Sequence, residues 1–305
     1  MLRENSTPER AGVPAATLNP LIPFVLGERG VRGYVVRLSD GLESMFGWRE
    51  YPPVVATLLG QALAAMPMLA ADLTQDAYMN LQFQGKHALK LLVAQVDQHL
   101  QLRGMAKFSP DTSGDYAELM AGGLLACLLE PRHGVQRYQA VVEASGHSLA
   151  DSLENYFRQS EQLPTLIRLA AGERALAGIL LQRLPEGAGL DDAHWQHVQT
   201  LFATLDEAEL LATEPLILLA RLFAEDEVRV FDARPVQLRC RCDRVGISAM
   251  LLSLGEDEIA GVLREQGKVE VTCEFCGKHY AYAELEMREL FAGAHLSDPE
   301  NRTRQ

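Results

Sequence analysis

Apolar and polar positions recur with two different periods along this chain, and the period changes near residue 186. Val31 to Leu38 reads as a strand. Val54, Leu58, Gln61, Ala62, Ala65 and Leu69 then recur at helical spacing, with Pro67 expected to kink the last turns. Ala77, Met79, Leu81 and Phe83 alternate with Tyr78, Asn80, Gln82 and Gln84, which is strand periodicity. Gly85-Lys86-His87 turns the chain, and Leu89, Leu91 and Val93 begin a return strand. Leu124 to Leu129, bounded by Gly122-Gly123 and Pro131, reads as a buried strand, and Val135 to Val142 as another. Ser148 and Asp151 have the spacing of a capping box and open a helix with the stripe Leu149, Leu153, Tyr156 and Phe157. Two more strands are expected over Leu163 to Ala170 and Ala175 to Arg183, joined through Gly172-Glu173-Arg174.

Pro185-Glu186-Gly187-Ala188-Gly189 marks a boundary, and helical spacing follows it. Trp195, Val198, Phe202 and Leu205 fall on one face, with Asp191 as the N-cap. Leu210-Leu211, Leu216 to Leu219, Leu222 and Phe223 continue in short helices broken by Pro215. Ordinary packing against the preceding domain accounts for this apolar stripe. His194 and His197 share the polar side and read as solvated. Val228, Val230 and Val236 are short extended pieces. Beyond them Leu251, Leu252, Leu254, Ile259, Val262 and Leu263 suggest helices around a Gly255 turn, and Val269, Val271, Tyr280 and Tyr282 a small hairpin. The expected fold class is α+β. It comprises a flexible proline-containing lead-in (1–30), a mainly antiparallel sheet domain with packed helices (31–186), a helical linker (187–235), a small C-terminal α+β domain (236–292) and a disordered tail (293–305).

That C-terminal segment holds four of the five cysteines. Cys240-Arg241-Cys242 and Cys273-Glu274-Phe275-Cys276 are two close pairs separated by thirty residues, the arrangement that a tetrahedral metal such as zinc requires. One Zn2+ per chain on Cys240, Cys242, Cys273 and Cys276 is therefore expected, which makes this a zinc domain. His279 is a poorer ligand candidate because four thiolates already fill the shell. Each pair can also close a small local bridge, strained for the tighter first pair and so easily reduced again. A structural zinc contributes roughly 10–16 kcal/mol, whereas a whole domain is stable by about 5–15 kcal/mol. Oxidising the ligands should therefore unfold the segment. Cys127, alone in an apolar strand, reads as core filler.

Charge narrows the partners. The net charge is −13 with a pI near 5.1, and Val236 to Leu290 holds seven Lys/Arg against ten Asp/Glu, so a nucleic-acid reader is disfavoured. Tyr51 to Ala71 is uncharged and long enough for a membrane span. Its three prolines, Gln61 and Ala/Gly content fit a buried core helix better. The first residues lack an apolar signal region, and with metal-type cysteine spacing this points to a reducing cytoplasm. No P-loop, dinucleotide fingerprint or Ser/His/Asp set occurs. No enzyme activity is expected. The enzyme alternative, a thiol–disulfide oxidoreductase using Cys273 and Cys276, lacks the strand-then-helix setting of such motifs.

Several separated stretches resemble the redox-regulated 33-kilodalton heat-shock chaperone family of bacterial holdases. Besides the cysteine pairs and Gly277, they are Asn155 to Thr165, Leu180 to Pro185, Leu81 to Gly85 and Glu227 to Phe231. The resemblance implies an inactive reduced, zinc-bound form. It implies that oxidation forms Cys240–Cys242 and Cys273–Cys276 disulfides, releases zinc and unfolds zinc domain and linker. The protein would then dimerise and hold unfolding client proteins without ATP. Its client surface would include Trp195, Phe202, Leu216, Leu219 and Phe223 with neighbouring first-domain surface. Where the family commonly has Ser after the first pair, this chain has Asp243. A carboxylate there is expected to raise the thiol pKa values and slow oxidation.

Overall fold

Two six-stranded sheets pack around one uncharged helix in the computed structural model, which describes residues 18–27, 30–73, 76–131, 138–184 and 192–297. In chain order come β1 (Pro20–Leu26), β2 (Val31–Leu38), α1 (Glu43–Phe46), α2 (Pro53–Leu69), β3 (Ala77–Gln84), β4 (Leu89–Asp97) and β5 (Gln101–Phe108). There follow α3 (Tyr116–Met120), β6 (Leu124–Pro131), β7 (Tyr138–Glu143), α4 (Leu149–Tyr156) with a π-helical turn over Phe157–Glu161, β8 (Thr165–Ala171) and β9 (Leu176–Arg183). The helices α5 (Asp192–Ala203), α6 (Glu207–Ala212) and α7 (Pro215–Leu222) lead to β10 (Val228–Val230), β11 (Arg234–Pro235) and β12 (Gln237–Leu238). The chain ends in α8 (Arg244–Leu254), α9 (Glu256–Gln266), β13 (Lys268–Thr272), β14 (His279–Ala283) and α10 (Glu284–Ser297).

The first sheet runs β10-β1-β2-β9-β8, with β11 also on β1, and the second runs β12-β5-β4-β3-β6-β7. All pairings are antiparallel except β12 on β5. Helix α2 lies between the sheets, touching β2, β8 and β9 on one side and β3, β4 and β5 on the other. Because it is covered on both sides, it is apolar nearly all round, which explains its membrane-like composition. Its Gly60 sits against Ala171 and Leu176, and Gly104 of β5 against Leu59 and Leu63, positions where a Cβ would collide at 2.7–3.0 Å. Among the described residues no helix is long and apolar enough to cross a membrane.

Three apolar clusters result. The largest fills the space around α2. A second lies on the opposite face of the first sheet, beneath α5, α6 and α7. A third is confined to α8, α9, β13, β14 and α10.

Several expectations change. The flexible lead-in does not extend to residue 30, because Pro20–Leu26 is strand β1, with Leu21, Phe24 and Leu26 buried. Its prolines fit because Pro20 opens the strand and Pro23 lies between the β10 and β11 pairings, where its carbonyl accepts from the Phe231 N–H. Residues 1–17 are outside the described range. The tail boundary also moves, since α10 continues to Ser297. Strands β5 and β12 had no clear alternation and were not expected. Asp191 and the first part of the Val135–Val142 strand fall outside the described residues. Cys127 is buried in β6, where burial pushes its thiol up to about 12.

Candidate metal centre

Each cysteine pair is presented by the end of a strand. Cys240 and Cys242 follow β12, whose line continues past its end as the Arg239 N–H donates to the Leu102 carbonyl at 2.9 Å. Asp243 then caps α8 by accepting from the Gly246 N–H at 2.7 Å. Its carboxylate is thus committed to a helix N-terminus, not to the thiols as expected. Cys273 and Cys276 form the turn between β13 and β14. Gly277 N–H donates to the Cys273 carbonyl at 2.8 Å, and Cys273 N–H to the Lys278 carbonyl at 2.9 Å. Gly277 has φ +70°, a left-handed conformation that glycine adopts without strain.

The two turns bring all four Sγ atoms within 4.8 Å of one another. Two of the separations cross between the pairs, 3.7 Å for Cys240–Cys273 and 3.4 Å for Cys242–Cys276. A tetrahedron with metal–sulfur distances near 2.3 Å needs sulfurs about 3.8 Å apart, so the donor set fits a four-thiolate metal site. Cys273 is buried and the other three half-buried. Burial raises the Cys273 and Cys276 thiols above the ordinary range. Burial also opposes the Cys242 thiolate, but the nearby Tyr280 hydroxyl and the other thiols outweigh it and lower Cys242. His279 instead faces Thr272 and Glu270, at 3.3 Å from each. It is absent from the cluster.

Both cysteine turns are docked on the second sheet, a feature the sequence reading missed. An extended Cys-x-Cys places its middle side chain opposite both thiols. Arg241 accordingly lies 3.9 Å from the centroid of the Tyr78 ring, 3.7 Å from the Asp97 carboxylate and in hydrogen bond to Gln95. Gln95 Oε1 also accepts from Arg103 Nε at 2.8 Å, and that guanidinium stacks 4.1 Å from the Phe275 ring. One β4 side chain therefore ties residues of both turns. Trp48 Nε1 donates to the Phe275 carbonyl at 3.1 Å, and Lys107 pairs with Glu274 at 2.8 Å. A Cβ at Gly277 would meet the Trp48 side chain at 2.8 Å.

The linker candidates lie elsewhere. Trp195, Phe202, Leu219 and Phe223 are buried against the first sheet, with Phe223 and Phe24 rings 6.3 Å apart. Leu216 is not in that stripe; it is 45 % exposed, as is its neighbour Ile217 at 56 %. His197 is half-exposed but faces the buried Asp226 carboxylate at 3.2 Å, so it is not merely solvated.

The chain matches the family model described as Hsp33 protein over residues 19–283. It is 41 % identical over 271 residues to the 33 kDa chaperonin of Chromobacterium violaceum, covering 88 % of this chain and 92 % of that one. It is 38 % identical over 269 residues to the 33 kDa chaperonin of Nitrosococcus oceani, with the same coverage. Its fold is similar to the crystal structure of the 33 kDa chaperonin (heat shock protein 33 homolog) of Thermotoga maritima. That match has a TM-score of 0.79 at 21 % identity and covers 92 % of this chain and 99 % of the other.

Proposed function

This chain belongs to the Hsp33 family, and from that premise we propose that it is an ATP-independent holdase switched on by oxidation of its metal centre. It binds unfolding client proteins and is not an enzyme. In the reduced state Cys240, Cys242, Cys273 and Cys276 hold one Zn2+, whose bonds to the four thiolates supply the cross-link joining the two turns. The observation that carries this reading is the placement of the four thiols. They gather in one cluster whose two turns are both docked on the second sheet, while the linker leading to them covers the first sheet's apolar face.

Oxidation forms Cys240–Cys242 and Cys273–Cys276 bridges. Closing each bridge withdraws two electrons from a pair of thiolates, and one peroxide per bridge accepts them with two protons and becomes water. The zinc is then released and the third cluster, built on few apolar side chains, loses the cross-link that stabilises it. Zinc domain and linker open together, uncovering Trp195, Phe202, Leu219, Phe223 and the sheet beneath; Leu216 is already accessible. Contiguous apolar surface of this kind binds other apolar chains. The opened protein dimerises and works in the cytoplasm, with neither nucleic acid nor membrane as partner. The oxidoreductase alternative is weaker because Cys273 and Cys276 sit in the turn of the β13–β14 hairpin and not in the first turn of a helix that follows a strand.

Light scattering of a thermally unfolding client, without ATP, tests the proposal. Peroxide-treated protein should suppress aggregation, and reduced protein should not until reoxidised. Equal suppression by both forms, or by neither, would contradict it.

A further inference from the structure

The first sheet's covered face carries charge of one sign only. Among the described residues, β1, β2, β8 and β9 contain no Asp or Glu. Strand alternation places Arg37, Arg168 and Arg183 on the linker side with Val35, Ala170, Ile179 and Leu181. Arg32, on the other side of β2, is already matched by Asp72 at 2.7 Å. In the sheet register Arg183 lies across from Val31 and Arg37 across from Ala177, six steps along β2, or about 20 Å. Arg168 is across from Ile179 on the outer strand β8. The three arginines therefore border an apolar floor at both ends and along one edge.

What covers this floor now has the complementary charge. From Asp192 to Glu227 the linker has eight carboxylates and one arginine, Arg221. Arg183 pairs with Asp192 at 2.8 Å, Arg37 faces Glu214 at 3.6 Å and donates to the Leu211 carbonyl, and the Arg168 guanidinium lies 5.5 Å from the Phe202 ring centroid. Each arginine that borders the floor thus engages a linker group that leaves when the linker opens.

Resting on the function proposed above, we infer that the uncovered face is an interaction surface selective for unfolded segments in which an apolar run is flanked by acidic residues, with Arg37, Arg168 and Arg183 as the specificity-determining side chains. The acidic, apolar linker is an internal example of the segment bound. A basic flank would set like charges against arginines that have just lost their partners, so it is disfavoured. Spacing adds a second criterion. Carboxylates about 20 Å apart lie six residues apart in an extended segment and about 13 apart in a helix.

The test uses oxidised, zinc-released full-length protein and fluorescein-labelled peptides with one shared Leu/Phe/Ala core and either Glu, Ser or Lys flanks. Fluorescence anisotropy should show the Glu-flanked peptide binding about tenfold more tightly than the Lys-flanked one, with the ratio shrinking at high salt. Combining Arg37→Gln, Arg168→Gln and Arg183→Gln should bring the ratio near one while Ser-flanked binding persists. Replacing the same three by Lys should preserve the ratio and control for folding. Equal binding of all three peptides by the unaltered protein would overturn the selectivity and leave the holdase reading standing. Absence of binding by any peptide would overturn both.

Discussion

Arg241 stacks 3.9 Å from the Tyr78 ring centroid while both neighbouring residues in the chain supply a thiol to the metal cluster. The residue between Cys240 and Cys242 thus also helps to join the C-terminal segment to the second sheet. Any rearrangement that rotates Cys240 and Cys242 toward each other must turn Arg241 on this ring. Arg241→Ala should keep the four thiols but loosen the docking by about 1–3 kcal/mol, the usual range for losing a part-buried charged hydrogen bond. Trp48, which bonds the Phe275 carbonyl, provides the signal. Its fluorescence should shift in the reduced, zinc-loaded variant, and oxidant should release zinc faster. An unaltered spectrum and release rate would show that Arg241 does not hold the docked state.

The pairing of the bridges decides whether oxidation opens or locks the segment. Bridges across the pairs, Cys240–Cys273 and Cys242–Cys276, would join sulfurs that already lie 3.7 and 3.4 Å apart. Each would retain the link between two corners more than thirty residues apart, worth about 4 kcal/mol in chain entropy. Bridges within the pairs free the corners from each other. Peptide mapping of the active oxidised protein should therefore find Cys240–Cys242 and Cys273–Cys276. Finding the crossed pairs in the active species would rule out opening by loss of the cross-link.

Metal affinity should climb with pH. Cys273 and Cys276 are raised by burial, so both are protonated at neutral pH without metal, and zinc must expel their protons. With at least two protons released per metal, apparent affinity should rise by a factor of about 100 or more per unit between pH 6 and 8 and fall equally on acidification. Competition with a chromophoric chelator across this range measures it. A flat profile would mean the thiols are already ionised.

The linker is held by packing, so polar replacements inside it should act before oxidation. Leu219 and Phe202 are buried beneath α7 and α5, and Leu219→Ser or Phe202→Ser should each cost about 3–5 kcal/mol of linker docking. The reduced, zinc-loaded variants should hold clients partly without oxidant, whereas Leu216→Ser, at an exposed position, should leave the reduced protein silent. Client holding by reduced Leu216→Ser and not by reduced Leu219→Ser would reverse the assignment of which residues the linker hides.

What the sequence made legible follows from locality. The cysteine turns are short-range patterns, strand β3 carries alternation, and β2, β8 and β9 are short mainly apolar runs, signals that survive without knowledge of their partners. Strand β1 was hidden because proline normally argues against a strand, and only its place between β10 and β11 makes Pro23 acceptable. The docking of the metal turns was illegible for a different reason. Trp48, Gln95 and Arg103 meet Phe275 and Arg241 across more than 100 residues of sequence, and no periodicity announces such a meeting. Leu216 shares the linker's apolar spelling but starts helix α7 on its outer side, which composition alone does not distinguish.

Coupling of the metal centre to the linker is tested most directly by hydrogen–deuterium exchange of the full-length protein with zinc release recorded alongside. On peroxide treatment with mild heat, α5 to α7 and α8 to α10 should lose protection together as about one zinc per chain leaves, while β1, β2, β8 and β9 stay protected and reductant with zinc restores the rest. If zinc leaves and only the cysteine segment exchanges, with α5 to α7 still protected, the metal centre is a structural clamp that does not control the linker.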